Sequence, residues 1–135
     1  MKVALAVNRV TTDINADLIS IVNTTHESAN AGTDLIIYPE AAITGLINKD
    51  DPIHDLPMGQ PIPGNVTDTL TKIVREQKIY SATGILEREG NKRYDSAILL
   101  IPDGQIALKY RRINPQCMED KQPQLSIVKV KNLRK

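Results

Sequence analysis

The sequence predicts an α/β protein with a mixed sheet, in the order β-α-β-α-β-β-β, in a single domain over residues 1–135. In the first half, short continuous apolar runs alternate with amphipathic helical stretches, which favours parallel strands joined by helical crossovers. In the second half, apolar runs follow one another across short turns, which is typical of antiparallel hairpins. The length of 135 residues agrees with one domain.

The chain opens with two predicted strands. The run KVALAV at 2–7 is short, apolar and partly β-branched, as expected of a buried strand. DLIIY at 34–38 contains four apolar residues in succession rather than in alternation, which is typical of a strand covered on both faces. A helix between these strands would complete a β-α-β unit.

That helix is predicted over 14–29, where apolar residues recur on one helical face. Thr12 or Asp13 is expected to cap its start, because their side chains accept hydrogen bonds from free backbone N–H groups. Gly32 is expected to mark its end. The apolar positions of the helix are Ile14, Leu18, Ile21, Val22 and Ala29.

Residues 48–64 form a predicted polar loop, because the four prolines there are too many for a regular element. We expect this loop to help shape a pocket. Asn65 is predicted to cap a second helix. The apolar face of that helix consists of Val66, Leu70, Ile73 and Val74.

Three further strands are predicted at 79–87, 94–101 and 105–110. REGNKR forms the predicted turn between the first two. PDG forms the second turn, because proline presets φ and glycine supplies a positive φ. A last strand is predicted at 125–130.

The composition argues against several classes of function. The net charge is +1, so no overall field attracts nucleic acid or a membrane surface. His26 and His54 have no partner at metal-ligand spacing, so we expect no metal and no other cofactor. A single cysteine, Cys117, no secretory signal and no membrane-spanning run predict a cytoplasmic protein.

Glu40 follows the second predicted strand, separated from it only by Pro39. In an open α/β sheet, ligands bind beyond the carboxyl ends of the strands. A carboxylate held on a rigid strand end is a candidate general base, although a solvated loop carboxylate would give the same pattern.

Motifs elsewhere in the chain favour the first interpretation. LIIYPEAAITG resembles the PE…TG signature of the nitrilase, or carbon-nitrogen hydrolase, superfamily. ATGILE resembles the Gly-containing third-strand motif of that family, YDSAILLIPDG its YNSA…DG hairpin, and LKYRRINP its YRK segment with the following loop. An unrelated α/β binding domain would have to match all of these motifs in order by chance.

The resemblance implies an α-β-β-α sandwich, of which this chain would form the first half. It also implies hydrolysis of a non-peptide C–N bond in a small amide, nitrile or carbamoyl compound. In the family, a glutamate is the general base, a lysine stabilises the oxyanion, and a cysteine thiolate attacks carbon to form a thioester. Glu40 matches the position of the glutamate.

Arg112 stands at the lysine position of the family motif, in YRRIN. Arginine keeps the positive charge but is a planar fork rather than a compact ammonium. It would either hold an oxyanion or form an ion pair with Glu40 that leaves neither group free. Lys109 is a poor substitute, because three positions earlier in an extended strand a residue faces the opposite side.

The family's nucleophile has no matching residue in this sequence. Cys117 lies in NPQCMED, which is not an apolar strand followed by cysteine, so we interpret it as an incidental loop thiol. The second carboxylate of the family would be Glu119 or Asp120. The tail LSIVKVKNLRK resembles only the approach to the nucleophile strand.

We therefore expect a truncated hydrolase-like protein that is inactive as this 135-residue chain, because the nucleophile-bearing half is absent. Completed by that half, it would act on a small amide or nitrile. A bare apolar face would favour a homo-oligomer. The alternative function is a non-catalytic relic that acts as a binding or oligomerisation module. The substrate itself is left open, since loops determine it.

Overall fold

The computed structural model describes residues 1–45, 52–112 and 125–126. The strands are β1 Val3–Leu5, β2 Leu35–Ile37, β3 Tyr80–Glu89, β4 Lys92–Leu100, β5 Ile106–Arg111 and β6 Leu125–Ser126. The helices are α1 Ile14–Asn30, α2 Pro52–Asp55 and α3 Asn65–Gln77, with a 3-10 turn at Leu56–Met58. In these ranges, each helix is too short or too polar to cross a membrane.

The six strands form one sheet in which their order follows the chain. β1, β2 and β3 run parallel, and every later neighbour is antiparallel. This confirms the predicted mixed α/β sheet, in which α1 connects β1 to β2 and α3 precedes β3. β6 lies within the strand predicted at 125–130, whose other residues are outside the described ranges.

The helix caps confirm one prediction and correct another. Asp13 caps α1 by accepting hydrogen bonds from the backbone nitrogens of Asn15 and Ala16, at 2.9 and 3.1 Å. The N-cap of α3 is Gly64 rather than Asn65. The extended backbone of Gly64 exchanges hydrogen bonds with the hydroxyl of Thr67, which satisfies the helix start without an asparagine side chain.

The prediction that residues 48–64 contain no regular element was wrong for 52–58. α2 begins at Pro52, and Pro57 lies in the first turn of the 3-10 segment. Proline is tolerated in a first helical turn, because the backbone N–H that it lacks has no partner there.

The hairpin between β3 and β4 is tighter than predicted. The strands extend to Glu89 and from Lys92, so that only Gly90 and Asn91 connect them. Gly90 has a φ of +59°, which a glycine adopts without strain. Much of the predicted turn REGNKR therefore belongs to the strands.

The long helices cover one face of the sheet. α1 and α3 pack against each other and enclose an aliphatic core with the strands. Side chains alternate along β1, so Ala4 packs against this core while Leu5 faces away and is 76% exposed. The coverage of both faces that DLIIY predicted is absent from the described part of the chain. We call the uncovered side the open face; its apolar residues are Val3, Leu5, Leu35, Ile37, Tyr80, Ala82, Leu86, Ala97, Leu99, Leu108 and Tyr110.

Candidate active site

Glu40 lies where the chain leaves the sheet. β2 is extended by a hydrogen bond from the nitrogen of Tyr38 to the carbonyl of Ala82, at 2.9 Å, and Pro39 follows. Ala41 has a φ of +51°, an unusual conformation for a residue with a side chain, and its carbonyl accepts from the nitrogen of Gly45 at 2.8 Å. This sharp turn holds the Glu40 side chain, 46% exposed, at the strand end.

Gly84 of β3 allows that turn to lie directly on the sheet. A Cβ at this position would be 2.6 Å from the nitrogen of Ala41 and 2.8 Å from the Cα of Glu40. No side chain fits such a gap. The glycine of the third-strand motif is therefore required by the close approach of the backbone that carries Glu40.

Arg112, at the end of β5, reaches Glu40. Its Nη1 lies 2.6 Å from Oε1 of Glu40 and 3.3 Å from Oδ2 of Asp95. Its backbone nitrogen also donates to the carbonyl of Asp95, at 2.7 Å. The structure thus brings together two residues that the sequence singled out, and adds Asp95 to them.

Asp95 was not predicted as a site residue. Its only signal in the sequence is that it stands in YDSA, where the family motif YNSA has asparagine. It belongs to β4 and faces the same side as Ala97, which lines the same cleft.

The three side chains influence one another's charge. Burial, followed by the hydrogen bond with Glu40, raises the pKa of Asp95. The hydrogen bond from Asp95 and the charge of Arg112 lower the pKa of Glu40, although burial opposes them. Glu40 is therefore the carboxyl that stays ionised as the pH falls.

An open cleft of about 330 Å³ begins at this cluster and runs over the open face. Small or apolar residues form its floor, and its charged groups lie at one end. This shape fits a small polar molecule whose polar end meets Glu40 and Arg112. The lining residues are Ile37, Tyr38, Glu40, Ala82, Thr83, Gly84, Asp95, Ser96, Ala97, Tyr110 and Arg112.

A second ionic cluster lies on the helix side of the same strands. Glu87 accepts hydrogen bonds from Lys109 at 2.7 Å, from Arg111 at 2.7 and 2.9 Å, and from Ser96 at 2.6 Å. Although burial opposes it, these bonds lower the pKa of Glu87 to about 2. Lys109 thus faces away from Glu40, as the strand alternation predicted.

The remaining residues considered in the sequence analysis were three at 117–120 and the two histidines. Cys117, Glu119 and Asp120 lie outside the described residues. His26 contacts Asn30 at 3.1 Å, and His54 contacts its neighbouring aspartate at 2.8 Å. Within the described ranges, no group of three or more His, Cys, Asp or Glu residues is placed to hold a metal ion.

Comparison with known proteins identifies relatives over most of the chain. The carbon-nitrogen hydrolase family model matches residues 2–128. Formamidases of Bacillus cereus (strain B4264) and Bacillus thuringiensis (strain Al Hakam) are 32% identical over 107 residues, which is 76% of this chain and 32% of theirs. The chain thus spans about a third of these curated relatives.

Solved structures share the fold. An amidase from Nesterenkonia sp. superposes with a TM-score of 0.70 at 17% identity, over 98% of this chain and 49% of its own. A carbon-nitrogen hydrolase from Helicobacter pylori G27 superposes with a TM-score of 0.73 at 14% identity, over 83% and 39%. By sequence and by fold, this chain belongs to the carbon-nitrogen hydrolase family.

Proposed function

We propose that this chain carries the base-bearing half of a carbon-nitrogen hydrolase site that acts on small amides. The contact of Arg112 with Glu40 at a strand end, above a small cleft, is the observation that carries the proposal. The relatives that match include formamidases and an amidase. A mutant of the Nesterenkonia amidase shows the result of Michael addition of acrylamide at its active site cysteine. A nitrile or carbamoyl compound is the other substrate class that the family resemblance allows.

In this proposal Glu40 accepts the proton of a thiol supplied by the nucleophile-bearing half. The thiolate sulfur forms a bond to the amide carbon, and the carbonyl oxygen takes up the negative charge. The C–N bond then breaks, and the nitrogen leaves with the proton held by Glu40 as ammonia or an amine. Water, deprotonated by Glu40, cleaves the thioester, and the proton returns to the thiol as the acid leaves.

Arg112 would stabilise the oxyanion. Both of its carboxylate contacts in the described residues use Nη1. A guanidinium has further N–H donors in a fixed plane, so Nη2 and Nε can donate to a substrate oxygen while Nη1 stays on Glu40. An ion pair with Glu40 is therefore compatible with a role in catalysis.

A chimera tests this function. Residues 1–112 of this chain would replace the matching part of the Bacillus cereus formamidase, and ammonia release from formamide and acetamide would be measured. We expect turnover that Glu40→Gln abolishes and Glu76→Gln, on exposed helix surface, leaves unchanged. A folded chimera whose turnover survives Glu40→Gln contradicts the proposal.

The 135-residue chain alone provides a complementary assay. We expect no ammonia release, because the only cysteine, Cys117, lies in a segment that does not match the nucleophile strand. Turnover that Cys117→Ser removes would instead identify Cys117 as the nucleophile.

The open face favours a second function, self-association as a binding or oligomerisation module. Val3, Leu5 and Tyr110 are 45%, 76% and 38% exposed. Apolar side chains exposed together on a sheet favour association with another surface. We propose a second copy of this chain as the occupant. Light scattering at micromolar concentration should show an oligomer, and a monomer would contradict this.

We also propose a cytoplasmic location. The support is the single cysteine, which fits a reducing compartment. Fractionation of the source cells checks this, and recovery of the protein from the medium or envelope would contradict it.

A further inference from the structure

We propose that Asp95 is a positioning residue of the site, which joins Glu40 and Arg112 into one unit. This rests on the function proposed above. The carbonyl of Asp95 accepts from the backbone nitrogen of Arg112 at 2.7 Å. Its carboxyl lies 3.3 Å from the Nη1 that contacts Glu40 at 2.6 Å. Asp95 therefore fixes Arg112 through both its backbone and its side chain.

Both partners of this contact depart from the motifs quoted above. Asp95 stands at an asparagine position and Arg112 at a lysine position. An aspartate adds a second carboxyl beside Glu40, and an arginine offers a wider fork that reaches two carboxyls at once. Because Asp95 and Arg112 are in contact, we interpret the two departures from the family motifs as a coupled pair rather than as two independent losses of family residues.

The surroundings of Asp95 and Glu40 determine which of the two carboxyls is neutralised first as the pH falls. Among the described residues, the charged groups that act on the Asp95 carboxyl are Glu40 and Arg112. Arg93, two positions earlier on the same strand face, is bonded to Asp55, and the cross-strand partner Leu86 is uncharged. Asp95 is 30% exposed and Glu40 is 46% exposed. The less exposed carboxyl is the one that burial neutralises first, so Glu40 keeps its charge.

A carboxyl titration by NMR, with ¹³C-labelled Asp and Glu in the full 135-residue chain, tests this. Glu40 should titrate below its ordinary value of 4.5, and Asp95 above its ordinary value of 3.8. Asp95→Ala should raise the midpoint of Glu40 toward 4.5, because the hydrogen-bond donor is lost. Asp95→Asn should keep Glu40 low, because the amide N–H still donates. Asp68→Ala, in α3, is the matched control and should change neither.

An unchanged midpoint of Glu40 in Asp95→Ala overturns the proposal. If that variant does not fold, Arg112→Ala provides a second test, because it removes the guanidinium that contacts both carboxyls. The midpoints of both Glu40 and Asp95 should then rise, because both contact Nη1. A rise at Glu40 alone overturns the proposal. These titrations need no turnover, so they can fail or succeed independently of the chimera assay.

Discussion

Gly84 lies against the backbone of Glu40 so closely that a Cβ at residue 84 would be 2.8 Å from the Cα of Glu40. Gly84→Ala must therefore push the Glu40 turn away from β3. We expect a loss of about 1–3 kcal/mol in the free energy of unfolding, as for other overpacked sites. We also expect the carboxyl titration of Glu40 to shift, because its contact with Arg112 is disturbed. Urea denaturation and NMR measure the two effects.

Gly32→Ala is the matched control for this experiment. Gly32 has a φ of +75°, but a Cβ there meets nothing within 4 Å. The strain should cost about 1 kcal/mol and leave the titration of Glu40 unchanged. Equal titration curves in the two variants would show that Gly84 does not position Glu40.

Glu87 makes the stability of the fold depend on pH. Its pKa is about 2 in the folded protein, against an ordinary 4.5, so the ionised form stabilises the fold. This contribution is complete above pH 4.5 and is lost as the pH falls toward 2. The shift corresponds to about 3 kcal/mol. Urea denaturation between pH 2 and 7 measures it.

Glu87→Gln should remove this pH dependence. At pH 7 the variant leaves Lys109 and Arg111 without their buried counter-charge, and we expect a loss of about 3 kcal/mol or more. Wild type and variant should approach each other as the pH falls toward 2, because Glu87 becomes protonated there. Glu89→Gln, on the exposed edge of the cluster, should change little. A gap between wild type and Glu87→Gln that persists at low pH would contradict the assignment.

Leu5→Glu tests the open face as an interface between copies. Leu5 is 76% exposed, so the charge should leave the fold intact. Buried between two copies it would weaken association by about tenfold or more, which corresponds to about 1.4 kcal/mol. Sedimentation velocity measures the shift. Ile19→Glu, 62% exposed on α1, is the control and should leave the oligomer unchanged.

The regular elements could largely be predicted from the sequence, because their signals are local. The helical spacing of apolar residues identified α1 and α3, and Asp13 was one of the two residues expected to cap α1. α2 was missed because prolines were read only as helix breakers, although Pro52 occupies a first turn. Gly64 rather than Asn65 is the N-cap of α3 because its backbone bonds to the hydroxyl of Thr67. The sequence does not show this contact, since neither residue alone is a strong N-cap signal.

The candidate site was predictable only in part, for a different reason. Glu40 and Arg112 were identified through motifs, and each lies at the end of a strand. Asp95 joins them only through the pairing of β4 with β5. Glu87, in ILERE, resembles an exposed residue near a turn. Its burial depends on Lys109 and Arg111, which lie two strands away in register.

The order of charged residues along β5 favours a single register of β5 against β4. Lys109 and Arg111 meet Glu87 on one side of the sheet, while Arg112 meets Glu40 at the other. A slip by one residue would turn each of these side chains to the wrong side and bury a carboxylate with no cation. Glu87 thus discriminates against misaligned pairing. Amide exchange at Arg112 should accelerate in Glu87→Gln, and unchanged exchange would show that alignment is secured elsewhere.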